Sequence, residues 1–121
     1  MKRLLLLFVL LSASILFNSC IKEEPDENLL YGKWKPVSGT SMHFRYDSNG
    51  GGVTWNPKED QREEEGQRFT WKLVKSEMEQ RHNIEIIGED IITRFYTVTE
   101  LTATTLKYKD GFSSYSFTKM D

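Results

Sequence analysis

Three sets of residues in this sequence have types and spacings that could do chemistry. The first is one thiol, Cys20, placed directly behind an apolar run. It is the sole cysteine, so it has no disulfide partner within the chain and its sulfur is left for alkylation. The second is a pair of imidazoles, His43 and His82, the only histidines. They fall on opposite faces of their predicted strands, and no Cys/His ligand spacing surrounds them, so no zinc site is expected. No Gly-x-Ser-x-Gly nucleophile motif occurs, and the carboxylates sit mostly in a tether, a charged loop or outward positions. No catalytic residue, metal set or cofactor is therefore assigned, and the chain is expected not to be an enzyme. The third set is polar residues on predicted inward faces: Gln80, His82 and Arg94, with Trp71 and Tyr96 as aromatic neighbours. A buried charge must be paired and hydrogen-bonded. One reading makes these five residues a ligand pocket in which Arg94 meets a carboxylate. The other is an internal polar network, or an Arg94 that reaches out of one end of the fold.

The elements that position the thiol come first. Met1-Lys2-Arg3 is a basic start, Leu4 to Leu16 is almost wholly apolar, and Ser19 is a small residue at the end. That order describes an export signal, too short for a comfortable membrane span of about 20 residues. Leu16-Phe17-Asn18-Ser19-Cys20 resembles the lipobox of bacterial lipoproteins. The resemblance implies removal of residues 1–19 and a thioether from Cys20 to a diacylglyceryl group. Each buried acyl CH₂ contributes about 0.8 kcal/mol, and more than one chain gives stable anchoring. The alternative is a cleaved signal with an incidental cysteine. Residues 20–29 are acidic and polar and contain Pro25, which reads as a flexible tether. Lys22-Glu23-Glu24 resembles the signal that sends some Gram-negative lipoproteins to the cell surface. The expected address is the outer membrane, lipid-anchored, on its periplasmic or its outer face.

Residues 30–121 make one small domain. The chain has 16 basic and 18 acidic side chains, and two of the basic ones, Lys2 and Arg3, belong to the signal. An acidic remainder offers no basic patch for nucleic acid. With three Trp, seven Phe and five Tyr the core must be built by packing alone, because no disulfide is available.

From Trp34 onward the apolar pattern has period two, with turn signals roughly every ten residues. The pattern predicts strands over Gly32–Gly39, Met42–Tyr46, Gly52–Asn56, Arg68–Val74, Glu77–Ile87, Ile91–Val98, Thr104–Lys109 and Ser113–Met120. Asn28 is expected to cap a short helical turn ahead of them. Pro36 cannot donate to a ladder and marks an edge, a bulge or a seam. The Asp47–Gly52 run reads as a turn rather than a phosphate loop, since no helix and no closing Lys-Ser/Thr follow it. Folding there sets Phe44 against Trp55 and Tyr46 against Val53. Folding at Lys75-Ser76 sets Leu73 against Met78, Trp71 against Gln80 and Phe69 against His82. A turn at Gly88-Glu89-Asp90 sets Ile86 against Ile92 and His82 against Tyr96. A tight Asp110-Gly111 turn sets Leu106 against Tyr115. The charge run from Pro57 to Gln67 is expected to be solvated and mobile, with a lid or partner-binding loop as the alternative.

Eight sequential antiparallel strands close most simply as an all-β up-and-down barrel. The residues also carry a family resemblance. Gly32-Lys33-Trp34 looks like the Gly-x-Trp motif that opens lipocalins and related fatty-acid-binding barrels. The Leu29–Lys35, Phe69–Leu73 and Tyr96–Leu106 runs, and the Asp110-Gly111 turn before Tyr115-Ser116-Phe117, are similar to small bacterial lipocalin-like lipoproteins. The resemblance implies that Trp34 plugs one end of the barrel under a basic residue near the last strand, Lys119 or, less well placed, Arg94. It also implies a small apolar or amphipathic ligand in the barrel. A different class of function, an accessory module that binds a protein partner in a cell-envelope complex, fits the same sequence.

Overall fold

The structure, a computed structural model, describes residues 24–84 and 90–120. The strands are β1 (Gly32–Ser38), β2 (His43–Tyr46), β3 (Gly51–Trp55), β4 (Gln67–Val74), β5 (Glu77–Ile84), β6 (Asp90–Leu101), β7 (Thr105–Lys109) and β8 (Ser114–Lys119). Each pairs antiparallel with the next, and β1 pairs with β8, so the sheet is a closed eight-stranded barrel. Closure leaves no ladder edge open, which suits a chain with many β-branched and aromatic residues. Pro36 sits on the β1–β8 seam, beside a register shift between Pro36 and Ser38. The ladder tolerates the missing N–H there.

The turn ahead of β1 covers Glu27–Leu29, and its cap is Asp26 rather than Asn28. The Asp26 Oδ1 accepts from the Asn28 amide at 3.0 Å. This turn, the β2–β3, β4–β5 and β6–β7 connections and the end of β8 gather at one pole of the barrel. The other connections gather at the opposite pole.

The β4–β5 hairpin has the expected register, with Leu73 opposite Met78, Trp71 opposite Gln80 and Phe69 opposite His82. Three other registers differ. In β2–β3, Phe44 pairs with Thr54 and Tyr46 with Gly52, one residue from expectation. The turn closes over Asp47–Gly50, with the Gly50 amide donating to the Asp47 carbonyl at 3.1 Å and the Asp47 amide to the Gly51 carbonyl at 2.9 Å. A one-residue slip exchanges the faces. Gly52 thus points inward, where a Cβ would lie 2.6 Å from the Phe69 ring. Val53 and Trp55 point outward.

In β5–β6, His82 pairs with Ile92 rather than Tyr96, Gln80 with Arg94, and Met78 with Tyr96. The Val98 amide donates to the Ser76 carbonyl at 2.7 Å, which fixes β6 beside the Lys75-Ser76 turn. Residues 85–89, with most of the expected Gly88-Glu89-Asp90 turn, lie outside the described residues, and Asp90 is already in β6. In β7–β8, Leu106 pairs with Phe117 and Tyr108 with Tyr115. The loop holds four residues rather than two, because the Asp110 Oδ1 accepts from the Phe112 and Ser113 amides at 2.8 and 2.7 Å. Both shifts are even, so every side chain keeps its predicted face.

The charge run is not a free loop. It forms two short 3-10 turns, Pro57–Glu59 and Glu63–Glu65. Glu63 bonds Lys33 at 2.7 Å and Arg45 at 2.8 Å. The run lies over the outer face of β3, and Val53 and Trp55 are buried beneath it. Most of its charges still face water. Exposed ion pairs are weak, so burial of Trp55 is the larger stabilising contribution.

Candidate functional site

The two poles of the barrel differ in what fills them. At the pole that receives the N-terminal turn, Trp34 is fully buried and its Nε1 donates to the Leu30 carbonyl at 2.9 Å. Lys119 is its cross-strand partner on the seam, and the ammonium lies 4.6 Å from the indole centroid. The same ammonium donates to the Leu29 carbonyl at 3.3 Å and to the Tyr31 carbonyl. Desolvation holds the Lys119 amine below its usual range. Gly32 has φ +120°, and a Cβ there would lie 2.9 Å from the Lys119 Cε and Nζ. Gly32 and Trp34 thus form the plugged end, and of the two basic candidates it is Lys119 that covers the indole.

Above the plug lies a packed aromatic layer. Phe44, Tyr46, Phe69, Trp71 and Phe117 meet mainly edge to face, which suits the ring quadrupoles. Trp71 belongs to this layer. Its Nε1 donates to the Gly51 carbonyl at 2.8 Å, and its ring packs on Tyr31 and Tyr46. It does not line the cavity described next.

The opposite pole is open. A cavity of about 350 Å³ enters it, lined by Gln80, His82, Arg94 and Tyr96 among others. Four of the five residues singled out for a pocket are therefore brought together, and Trp71 is not. The floor is polar and internally paired. The Gln80 Nε2 donates to the Tyr46 hydroxyl at 3.0 Å. Its amide oxygen can only accept, so the His82 Nε2, 2.8 Å away, carries the proton and donates. Phe69 stacks on the His82 ring with centroids 4.9 Å apart. Burial, with the positive charge of Arg94 in second place, lowers the His82 pKa to about 4, so the imidazole is neutral at pH 7. Burial also pushes the Tyr46, Tyr96 and Tyr108 hydroxyls up.

Arg94 starts on the inward face of β6 but its side chain is exposed at the rim. Among the described residues it forms no salt bridge within 4.0 Å. His43 is on the outer face, its ring tilted by 34° against Trp55 with centroids 5.4 Å apart, and does not join the cavity. Among the described residues no group of three His, Cys, Asp or Glu converges as a metal site would require.

Sequence reasoning missed Tyr108 and Tyr115 as cavity walls. Their alternation put both inside, but the tight turn assumed at Asp110-Gly111 separated them across the ladder. With the four-residue loop they are cross-strand partners, 5.4 Å between centroids, and both meet Tyr96. Cys20 lies outside the described residues. No protein-family model matches the chain, nor does a curated protein or a solved structure.

Proposed function

We propose that this protein is a lipid-anchored, non-enzymatic, lipocalin-like barrel that binds a small apolar or amphipathic ligand at its open pole. The observation that carries the reading is the cavity of about 350 Å³, with apolar and aromatic walls, a self-satisfied polar floor and one cationic side chain at its rim. Such a shape binds by exclusion of water from the walls and orients a ligand through the rim charge. The plugged opposite pole supports the lipocalin likeness, since Trp34 and Lys119 occupy the positions that the Gly-x-Trp motif implies.

The anchor part of the proposal rests on the sequence. Cys20 carries the lipid, and the protein is held at the outer membrane, facing the periplasm or the cell surface. Fractionation of cells that express Cys20→Ser tests it. Release of the variant into the soluble fraction is expected, and retention in the membrane would remove the anchor. Native mass spectrometry of the protein isolated from its host tests the binding part. A bound mass in the range of a small organic molecule supports the reading. A clean apo mass, with no uptake from a panel of amphiphiles, ends it.

A second reading, an accessory module of an envelope complex, draws on the outer face of β6. Ile91 and Phe95 share that face and are each 60% exposed. A photo-crosslinker at Phe95 that captures no protein in cells would remove this reading.

A further inference from the structure

We propose that the ligand of the open pole is a compact, planar aromatic carboxylate, its ring against the Tyr96–Tyr108–Tyr115 wall and its charge on Arg94. The inference rests on the reading of the cavity as a ligand site and names what that site prefers.

Depth is the first argument. Leu30, Trp34, Tyr46, Met78, Leu106 and Phe117 are each less than 2% exposed and fill the barrel from the plugged pole. Gln80, also fully buried, closes the cavity floor. From Gln80 to Ile84, the last residue of β5, is four residue steps, about 13 Å of strand at roughly 3.3 Å per residue. The cavity volume of about 350 Å³ is at the lower edge of the range of about 300–1,000 Å³ for ligand pockets. A long acyl chain cannot thread a barrel that is packed through its lower half and would leave much of its length in water. A short, wide molecule fits.

The wall is the second argument. Tyr96, Tyr108 and Tyr115 have ring centroids 4.6, 5.4 and 5.7 Å apart, at mutual angles of 51°, 40° and 87°. The three rings stand at different angles along the cavity lining, and a further ring packs on aromatic side chains either offset-stacked or edge to face. Tyrosine rings held by their neighbours lose little freedom when a ligand arrives.

Charge is the third argument. The Arg94 fork is exposed at the rim and, among the described residues, has no carboxylate in salt-bridge range. The nearby rim acid, Asp110, feels the Arg94 charge but forms no salt bridge with it and is held mainly by its own loop. Its Oδ1 accepts two backbone amides and its Oδ2 accepts the Tyr115 hydroxyl at 3.2 Å. A planar guanidinium matches a carboxylate through two parallel hydrogen bonds. Below the rim, Gln80 is paired with both His82 and Tyr46, so the buried end of the ligand needs no polar group to satisfy it.

The test uses the full chain in lipid nanodiscs, with empty nanodiscs as control. The probes are naphthalene-2-carboxylate, its neutral carboxamide and palmitate, followed by calorimetry and intrinsic fluorescence. The carboxylate is expected to bind at least about tenfold more tightly than the carboxamide, the minimum for a charge-assisted hydrogen bond. Arg94→Gln should equalise the two. Tyr115→Leu should weaken both and preserve their ratio. Circular dichroism melts establish that each variant is folded. Palmitate binding without naphthoate binding overturns the ring preference and leaves the carrier reading standing. Equal affinities for carboxylate and carboxamide in the wild type overturn the role of Arg94. Binding of none of the three, together with a clean apo mass from the host, overturns the carrier reading itself.

Discussion

The Lys119 ammonium stands 4.6 Å from the centre of the Trp34 indole, across the seam where the last strand meets the first. Three things meet at that point: barrel closure, the plug, and the segment that enters the domain. The ammonium also donates to the Leu29 and Tyr31 carbonyls, so it ties the entering chain to β8.

Lys119→Met keeps the apolar stem and removes the charge. Two carbonyls lose a donor and the indole loses its cation, so a loss of about 2–3 kcal/mol is expected. Urea denaturation measures it. Lys119→Arg should recover part of the loss, and an unchanged midpoint for Lys119→Met would show that the cation adds nothing.

Acid should weaken the fold through His82. Its pKa is about 4 in the folded protein against an ordinary 6.5. The folded state therefore binds fewer protons than the unfolded one between those values. The stabilisation is fully present above pH 6.5, declines as pH falls through the window, and is gone below about 4. Its full size is about 3 kcal/mol by linkage. The His43 pKa is also lowered, chiefly by burial, and acts in the same direction. Denaturation curves at intervals from pH 7 to pH 4 should therefore show a shallower slope for His82→Leu than for wild type. Parallel slopes would exclude His82 as the carrier.

Two glycines separate close approach from loop freedom. At Gly52 a Cβ would lie 2.4 Å from the Arg45 carbonyl oxygen and 2.6 Å from the Phe69 ring, whereas at Gly111 nothing lies within 4 Å. Gly52→Ala should cost about 2–4 kcal/mol, and Gly111→Ala should stay within about 0.5 kcal/mol of wild type. Thermal melts of the pair check this, and equal melting points would contradict the β2–β3 register.

Glu63 fastens the charged run to β1 and β2, and both partners hold its carboxyl below the ordinary range, the Lys33 hydrogen bond most strongly. Its side chain is 26% exposed, so Glu63→Gln should cost no more than about 1 kcal/mol. The local effect should be larger than the global one. Faster amide exchange is expected in residues 57–66, together with quencher access to Trp55. Unchanged exchange there would show that the run is held without Glu63.

Much of the barrel was legible where side chains mark the phase of a strand. Phe69, Trp71 and Leu73 alternate, Met78, Gln80 and His82 answer them, and a two-residue turn leaves one way to fold. The phase of β3 was not legible, because Gly50, Gly51 and Gly52 carry no side chain to declare a face. Trp55 looked like an inner residue, and it is buried, but from outside by the charged run. Seeing that cover in advance required knowing that Glu63 meets Lys33 and Arg45, which are far upstream. The cavity presented the same difficulty. Gln80, His82, Arg94 and Tyr96 were visible as inward residues, yet a list of inward residues does not say where the barrel is filled. Trp34, Tyr46, Trp71 and Phe117 fill the plugged half, whereas in the other half the tyrosine rings stand as walls around a void, a fact about volume in three dimensions.

The described chain enters beside Trp34 and leaves at Met120, whose amide donates to the Lys33 carbonyl at 2.9 Å. Both ends of the described chain thus lie at the plugged pole, opposite the cavity mouth. The molecule has the plan of a cup with its stem and its handle fixed at the base. Whatever is joined to either end of the described chain attaches on the side away from the cavity mouth.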